Sequence, residues 1–209
     1  DNATYRSFTP SWSSNITLSA LSGTAGQVVN VTSPGAYYFT PYSDAGACTI
    51  NSSPAGLFSS QNCFINSTNG KLFLTSFVIS NSAPSGTYAV WVKATPAGTG
   101  AESQIVGFSV RPKVTVYPTS GSPPLGSLPG TTVTVTGYGF SPSDDSCTIV
   151  SYPTNSSMPN IVSSLTCNVV TGVLQGSFVV AAGATNRWSS LGAYDLVVTG
   201  TPAGDKVNA

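Results

Sequence analysis

The apolar residues of this chain come in short runs that alternate with polar ones. Residues 28–31, 72–79, 87–93, 131–136, 176–181 and 193–199 are rich in Val, Ile, Thr, Tyr and Phe, and clusters of Gly, Pro, Ser and Asn separate them. No stretch shows a 3.6-residue apolar period, and β-branched residues with Gly and Pro oppose helix throughout. The pattern predicts an all-β protein. Near the start, Phe8, Pro10 and Trp12 alternate with Thr9, Ser11 and Ser13, and Ile16 and Leu18 continue the same parity. That is a strand with one buried face. Tyr88 and Trp91, on one strand, read as core, and Trp188 lies in a polar loop.

The pattern is written twice. Gly26-Gln27-Val28-Val29-Asn30-Val31 matches Gly130-Thr131-Thr132-Val133-Thr134-Val135, and Cys48-Thr49-Ile50 matches Cys147-Thr148-Ile149. The stretch from Gly70 to Val78 echoes that from Gly172 to Val179, and Tyr88 falls opposite Tyr194. Thr95-Pro96-Ala97-Gly98 recurs as Thr201-Pro202-Ala203-Gly204. Anchors in the same order are the signature of an internal repeat. Each unit has about seven short strands over roughly 100 residues, which suits an immunoglobulin-like sandwich, with a β-barrel as the alternative. The expected division is an arm at 1–14, one domain at 15–112 and a second at 113–209. A near-continuous strand with Pro112 joins the domains and predicts a stiff pair.

The two units end differently. After Thr95-Pro96-Ala97-Gly98 the first runs on through residues 101–112, with a turn and a last strand. After Thr201-Pro202-Ala203-Gly204 the second has Asp205-Lys206-Val207-Asn208-Ala209. The second domain is therefore expected to lack its final strand, leaving a groove between two strands. Unsatisfied backbone groups in such a groove cost on the order of 1–3 kcal/mol each. The surplus segment at the other end of the chain has the right alternation to fill it. Phe8, Pro10 and Trp12 of one copy entering the groove of the next is strand addition in trans. A head-to-tail contact that does not close generates a filament. Pro10 fits an edge position better than a central one.

Composition sharpens this picture. Charged residues are 7% of the 209, histidine is absent and the formal net charge is zero. No electrostatic footprint for nucleic acid exists. So few titrating groups also predict tolerance of strongly acidic surroundings. With little charge to keep copies apart, another coat is needed. The Asn-x-Ser/Thr triplets at Asn2, Asn15, Asn30, Asn51, Asn66 and Asn155 offer N-linked glycans. The four cysteines fall two per unit, and Cys48 with Cys63 and Cys147 with Cys167 is the pairing chosen among three. Each bridge is worth about 3 kcal/mol from loop-closure entropy. Paired cysteines point to an extracellular, cell-surface location. No apolar run of membrane-spanning length is present, and Asp1 reads as following a cleaved leader.

Catalysis finds no support. There is no histidine, every cysteine is assigned to a bridge, and the seven carboxylates are scattered through loops. Neither enzyme activity, cofactor nor metal is expected. Asp144-Asp145 reads as a turn former rather than a calcium site. Lys206, near the groove, and Asp1, on the incoming arm, are the pair for an isopeptide bond between copies.

The arm residues Phe8, Pro10 and Trp12, the short end at 203–209 and the triplets together resemble the archaeal thread filaments, a family of glycosylated surface pilus subunits. Their assembly is similar to that of bacterial chaperone-usher pilins. The resemblance implies a head-to-tail homopolymer joined by donor strands, N-glycans at the matching asparagines, and isopeptide links. Bacterial relatives use one domain as acceptor, whereas this chain has two, so adhesive details do not transfer. The expected function is the structural subunit of an extracellular glycosylated filament. The alternative is a two-domain immunoglobulin-like binding or adhesin fragment, and a weaker one an accessory domain of a secreted hydrolase.

Overall fold

The structure, a computed structural model, describes residues 15–34, 39–40, 44–95, 101–122, 125, 129–153, 161–181 and 194–209. The arm residues Phe8, Pro10 and Trp12, with Asp1, Asn2, Asn155 and Trp188, lie outside them. Among the described residues the chain is all-β.

Eight strands precede Arg111: β1 Thr17–Leu18, β2 Ser22–Gly23, β3 Val28–Thr32, β4 Gly46–Ser53, β5 Phe58–Ile65, β6 Leu72–Ile79, β7 Gly86–Ala94 and β8 Val106–Val110. They pair in the order β1-β3-β6-β5-β4-β7-β8-β2. The β4–β5 contact is limited to Gly46 with Ile65 and Ala47 with Phe64. The sheet therefore folds there into two four-stranded layers. Alternation decides what lies between them: in β3, Val29 and Val31 are buried while Val28, Asn30 and Thr32 are exposed. Phe39, Ile50, Leu57, Phe77, Ile79, Val90, Val92 and Phe108 fill the centre. Ile16 is buried in that core and Leu18 packs against it, as their shared parity predicts.

Arg111-Pro112 leads directly into the second set: β9 Lys113–Tyr117, β10 Thr132–Tyr138, β11 Ser146–Pro153, β12 Val162–Val170, β13 Val173–Val180, β14 Tyr194–Thr201 and β15 Lys206–Asn208. Their order is β15-β14-β11-β12-β13-β10-β9. Again the sheet folds at a minimal contact, Ser146 with Asn168. One layer is β9-β10-β13-β12 and the other β11-β14-β15. A separate core forms around Val135, Phe140, Ile149, Leu174, Phe178 and Val198. The chain is thus two β-sandwiches in tandem. Disulfides Cys48–Cys63 and Cys147–Cys167 tie the layers beside the two folds in the sheets.

Two readings need correction. The second sandwich does not lack its final strand altogether, because β15 is present, antiparallel to β14, with Val207 packed against the core. Trp91 is not core beside Tyr88: an odd spacing on a strand puts side chains on opposite faces, so Tyr88 is buried and Trp91 half-buried outside. Asp144 does close a turn, its N–H donating to Ser141 O at 3.1 Å, and its side chain is buried at 3% exposure.

Candidate strand-acceptor edge

The last strands of the two sandwiches can be compared residue by residue. In the first, β8 lies antiparallel to β7 with Val106 opposite Val90, Phe108 opposite Tyr88 and Val110 opposite Gly86. The preceding turn is closed by a single bridge between Lys93 and Glu102, reinforced by their ion pair at 3.1 Å. β8 turns Phe108 and Val110 into the core, where Phe108 meets the ring of Phe77 edge-on with centroids 5.6 Å apart.

In the second sandwich the hairpin is tighter. Lys206 lies opposite Thr199, Val207 opposite Val198 and Asn208 opposite Val197. Ala209 and Leu196 exchange both backbone bonds, at 2.9 and 3.3 Å. By the repeat, Leu196 corresponds to Val90, so Ala209 stands where Val106 stands in the first sandwich. β15 thus covers the C-terminal half of β14, and Tyr194 and Asp195 lie beyond its end. Nothing among the described residues takes the places of Phe108 and Val110. The neighbouring positions register the difference: Val90 is 0% exposed and Leu196 7%, and Tyr88 is 2% exposed whereas Tyr194 is only partly buried.

The hairpin that delivers β15 is anchored by two aspartates that sequence patterning left unexplained. Asp144 accepts the Ala203 N–H at 2.6 Å on Oδ1. Its Oδ2 is buried without a hydrogen-bond partner, against Gly200, where any Cβ would collide with it. Gly200 is therefore dictated by the carboxylate beside it. Asp205 Oδ2 accepts both the Ser141 N–H and the Ser85 hydroxyl, each at 2.6 Å. Ser85 belongs to the first sandwich, so one carboxylate joins the base of β15 to both halves of the molecule. The first sandwich has its own version of the buried acid: Asp44, 1% exposed, accepts the Thr40 N–H at 2.7 Å and follows Phe39 as Asp144 follows Phe140. The signal was present in the sequence as Phe39-Thr40-Pro41 and Phe140-Ser141-Pro142, each followed shortly by Asp.

The remaining predicted positions scatter. Lys206 is exposed on β15. Asn30 is exposed on β3, while Asn15, Asn51 and Asn66 are half-buried; Asn51 donates to Thr49 Oγ1 at 3.4 Å. No group of three or more His, Cys, Asp or Glu able to hold a metal occurs among the described residues. Among the described residues no helix is long and apolar enough to cross a membrane. Compared with known proteins, the chain matches no family model and no curated sequence. Its function must be read from geometry.

Proposed function

We propose that this chain is the structural subunit of an extracellular filament that grows head to tail by strand donation. The observation that carries the reading is the pairing of β14: β15 lies along Val197 to Thr199, and among the described residues nothing lies where Phe108 and Val110 lie in the first sandwich. The segment Phe8-Thr9-Pro10-Ser11-Trp12 alternates as Val106-Gly107-Phe108-Ser109-Val110 does, with three large residues on one parity. Entering from another copy, it would continue the line of β15 along β14. Main-chain bonds would supply affinity and the inward side chains would set register.

Supporting features are the two disulfides, which indicate an oxidising compartment, and the asparagine triplets, which there accept N-linked glycans. The strand order β1-β3-β6-β5 against β4-β7-β8-β2 supports the immunoglobulin-like reading. Tyr88, at the start of β7, donates its hydroxyl to Pro84 O at 3.0 Å, the tyrosine corner of such domains. In this reading the likeness to archaeal thread subunits extends to assembly. A bond between Asp1 and Lys206 requires the donated strand to enclose Lys206, which is exposed in the single chain.

The competing reading, a two-domain binding or adhesin fragment, has the same positions filled by residues following Ala209 in the same chain. Electron microscopy separates them. The full chain should form thin filaments and a chain lacking residues 1–14 should remain as single particles. Filaments formed equally well without the arm would remove strand donation.

A further inference from the structure

Between β5 and β6 the two sandwiches diverge in one place. In the second, the corresponding strands β12 and β13 close with Thr171 and Gly172 alone, both at positive φ, the conformation of a two-residue hairpin turn. In the first, residues 66–71 form a longer loop between Ile65 and Leu72, and the loop opens with the triplet Asn66-Ser67-Thr68. Immediately before it, Phe64 lies directly opposite Phe73, and both face solvent, at 51% and 57% exposure. The matching pair in the second sandwich, Asn168 opposite Gln175, is polar and exposed. This cross-strand pair is thus polar in the second sandwich and aromatic in the first, where the triplet stands. Exposed aromatic pairs of this kind mark a contact surface.

The local backbone prepares the pair. Two residues of β6, Leu74 and Thr75, face one of β5, Cys63, which is a β-bulge with Leu74 at φ 47°. The Thr75 hydroxyl accepts the Phe64 N–H at 3.3 Å and donates to Phe73 O at 3.2 Å, holding the two phenylalanines in register. Asn66 follows Phe64 by two residues, so on an extended chain both point to one face with backbones about 7 Å apart. The Asn66 side chain makes a local turn in which Oδ1 accepts the Thr68 N–H at 2.8 Å. That bond uses the oxygen, and the glycan-bearing nitrogen, Nδ2, takes no part in it.

We propose that Asn66 bears an N-linked glycan whose first sugar lies with its C–H face on the Phe64–Phe73 pair. The inference rests on the extracellular reading above. In the modification, Asn66 Nδ2 attacks the anomeric carbon of a lipid-phosphate-activated oligosaccharide; the C–O bond to phosphate breaks, a C–N bond forms, and the amide proton leaves with the phosphate. No redox partner is involved. A sugar one to two bonds from Nδ2 spans the separation to the rings, and its apolar face covers carbon that would otherwise meet water.

The test uses the full chain secreted from a glycosylating host, in four forms: unchanged, Asn66→Gln, Phe64→Asn with Phe73→Gln, and all three together. Peptide mass mapping reports whether Asn66 is occupied. Proton spectra of the first sugar should show upfield shifts from the rings, lost in the Phe64→Asn/Phe73→Gln form. Removing the glycan by Asn66→Gln should lower the first melting transition by about 4–8 °C when the phenylalanines are present and by much less when they are not. An unmodified Asn66 overturns the proposal and leaves filament assembly untouched. A modified Asn66 with unshifted sugar protons and equal melting losses in both backgrounds overturns the stacking.

Discussion

Two residues show how single side chains set the behaviour of each sandwich. Burial raises the pKa of Tyr88 above its ordinary value near 10, because the ionised ring would lose its water. A folded-state pKa raised above the unfolded one stabilises fully below the unfolded value, and that stability drains away as pH rises through the folded value. Denaturant melts should therefore show unfolding free energy falling above about pH 10. Tyr88→Phe should flatten that fall, at a cost of about 1 kcal/mol at neutral pH for the lost bond to Pro84. In the second sandwich, Gly200→Ala places a methyl against Asp144 and should cost about 1–3 kcal/mol, read as a lower denaturant midpoint with unchanged slope. At this scale the sequence was only partly legible. Cysteine spacing identified the bridges, since two cysteines per repeat leave few partners. The turn at Asp144 is legible in its Ser/Pro-rich loop, but its burial is not, because only the return of the chain at Ala203 supplies the donor. Tyr88 and Trp91 were grouped by chemistry although their spacing already put them on opposite faces.

At the level of elements, the strands announced by β-branched runs are all present, as in β3, β6, β7, β10, β13 and β14. β5 and β12 were harder to see: Phe58–Ile65 reads FSSQNCFI, a mostly polar edge strand whose outer residues face water, so it lacks the apolar signal of a buried one. The final strand of the second sandwich was expected to be absent because five residues after a turn seemed too few. They suffice because Asp144 and Asp205 fix the turn and return the chain directly against Gly200. Among the described residues, nothing pairs with β14 where residues 107–110 pair with β7 in the first sandwich. Extending the chain beyond Ala209 with the sequence Gly-Phe-Ser-Val of those residues should let the second sandwich complete itself. Such a chain should melt several degrees higher, since burying a Phe contributes about 1.5–3 kcal/mol. It should also fail to form filaments, as light scattering and microscopy would report. Filament growth unaffected by the added strand would place the contact between copies elsewhere.

For the whole molecule, the repeat encodes an asymmetry. Two sandwiches built on one plan differ in the pairing of their last described strands, five residues for β8 on β7 and three for β15 on β14, and a two-residue connection at Arg111-Pro112 with the Asp205–Ser85 bond joins them. Scarce charge makes the surface depend on something other than electrostatic repulsion to stay dispersed. The direct measurement is a thermal melt of the chain lacking residues 1–14, with and without a synthetic peptide of residues 1–14. Strand donation predicts a saturable rise in the melting temperature of the second sandwich, lost when Phe8 and Trp12 of the peptide are replaced by Ser. A melting temperature unmoved at any peptide concentration, or a rise indifferent to those two replacements, would contradict it.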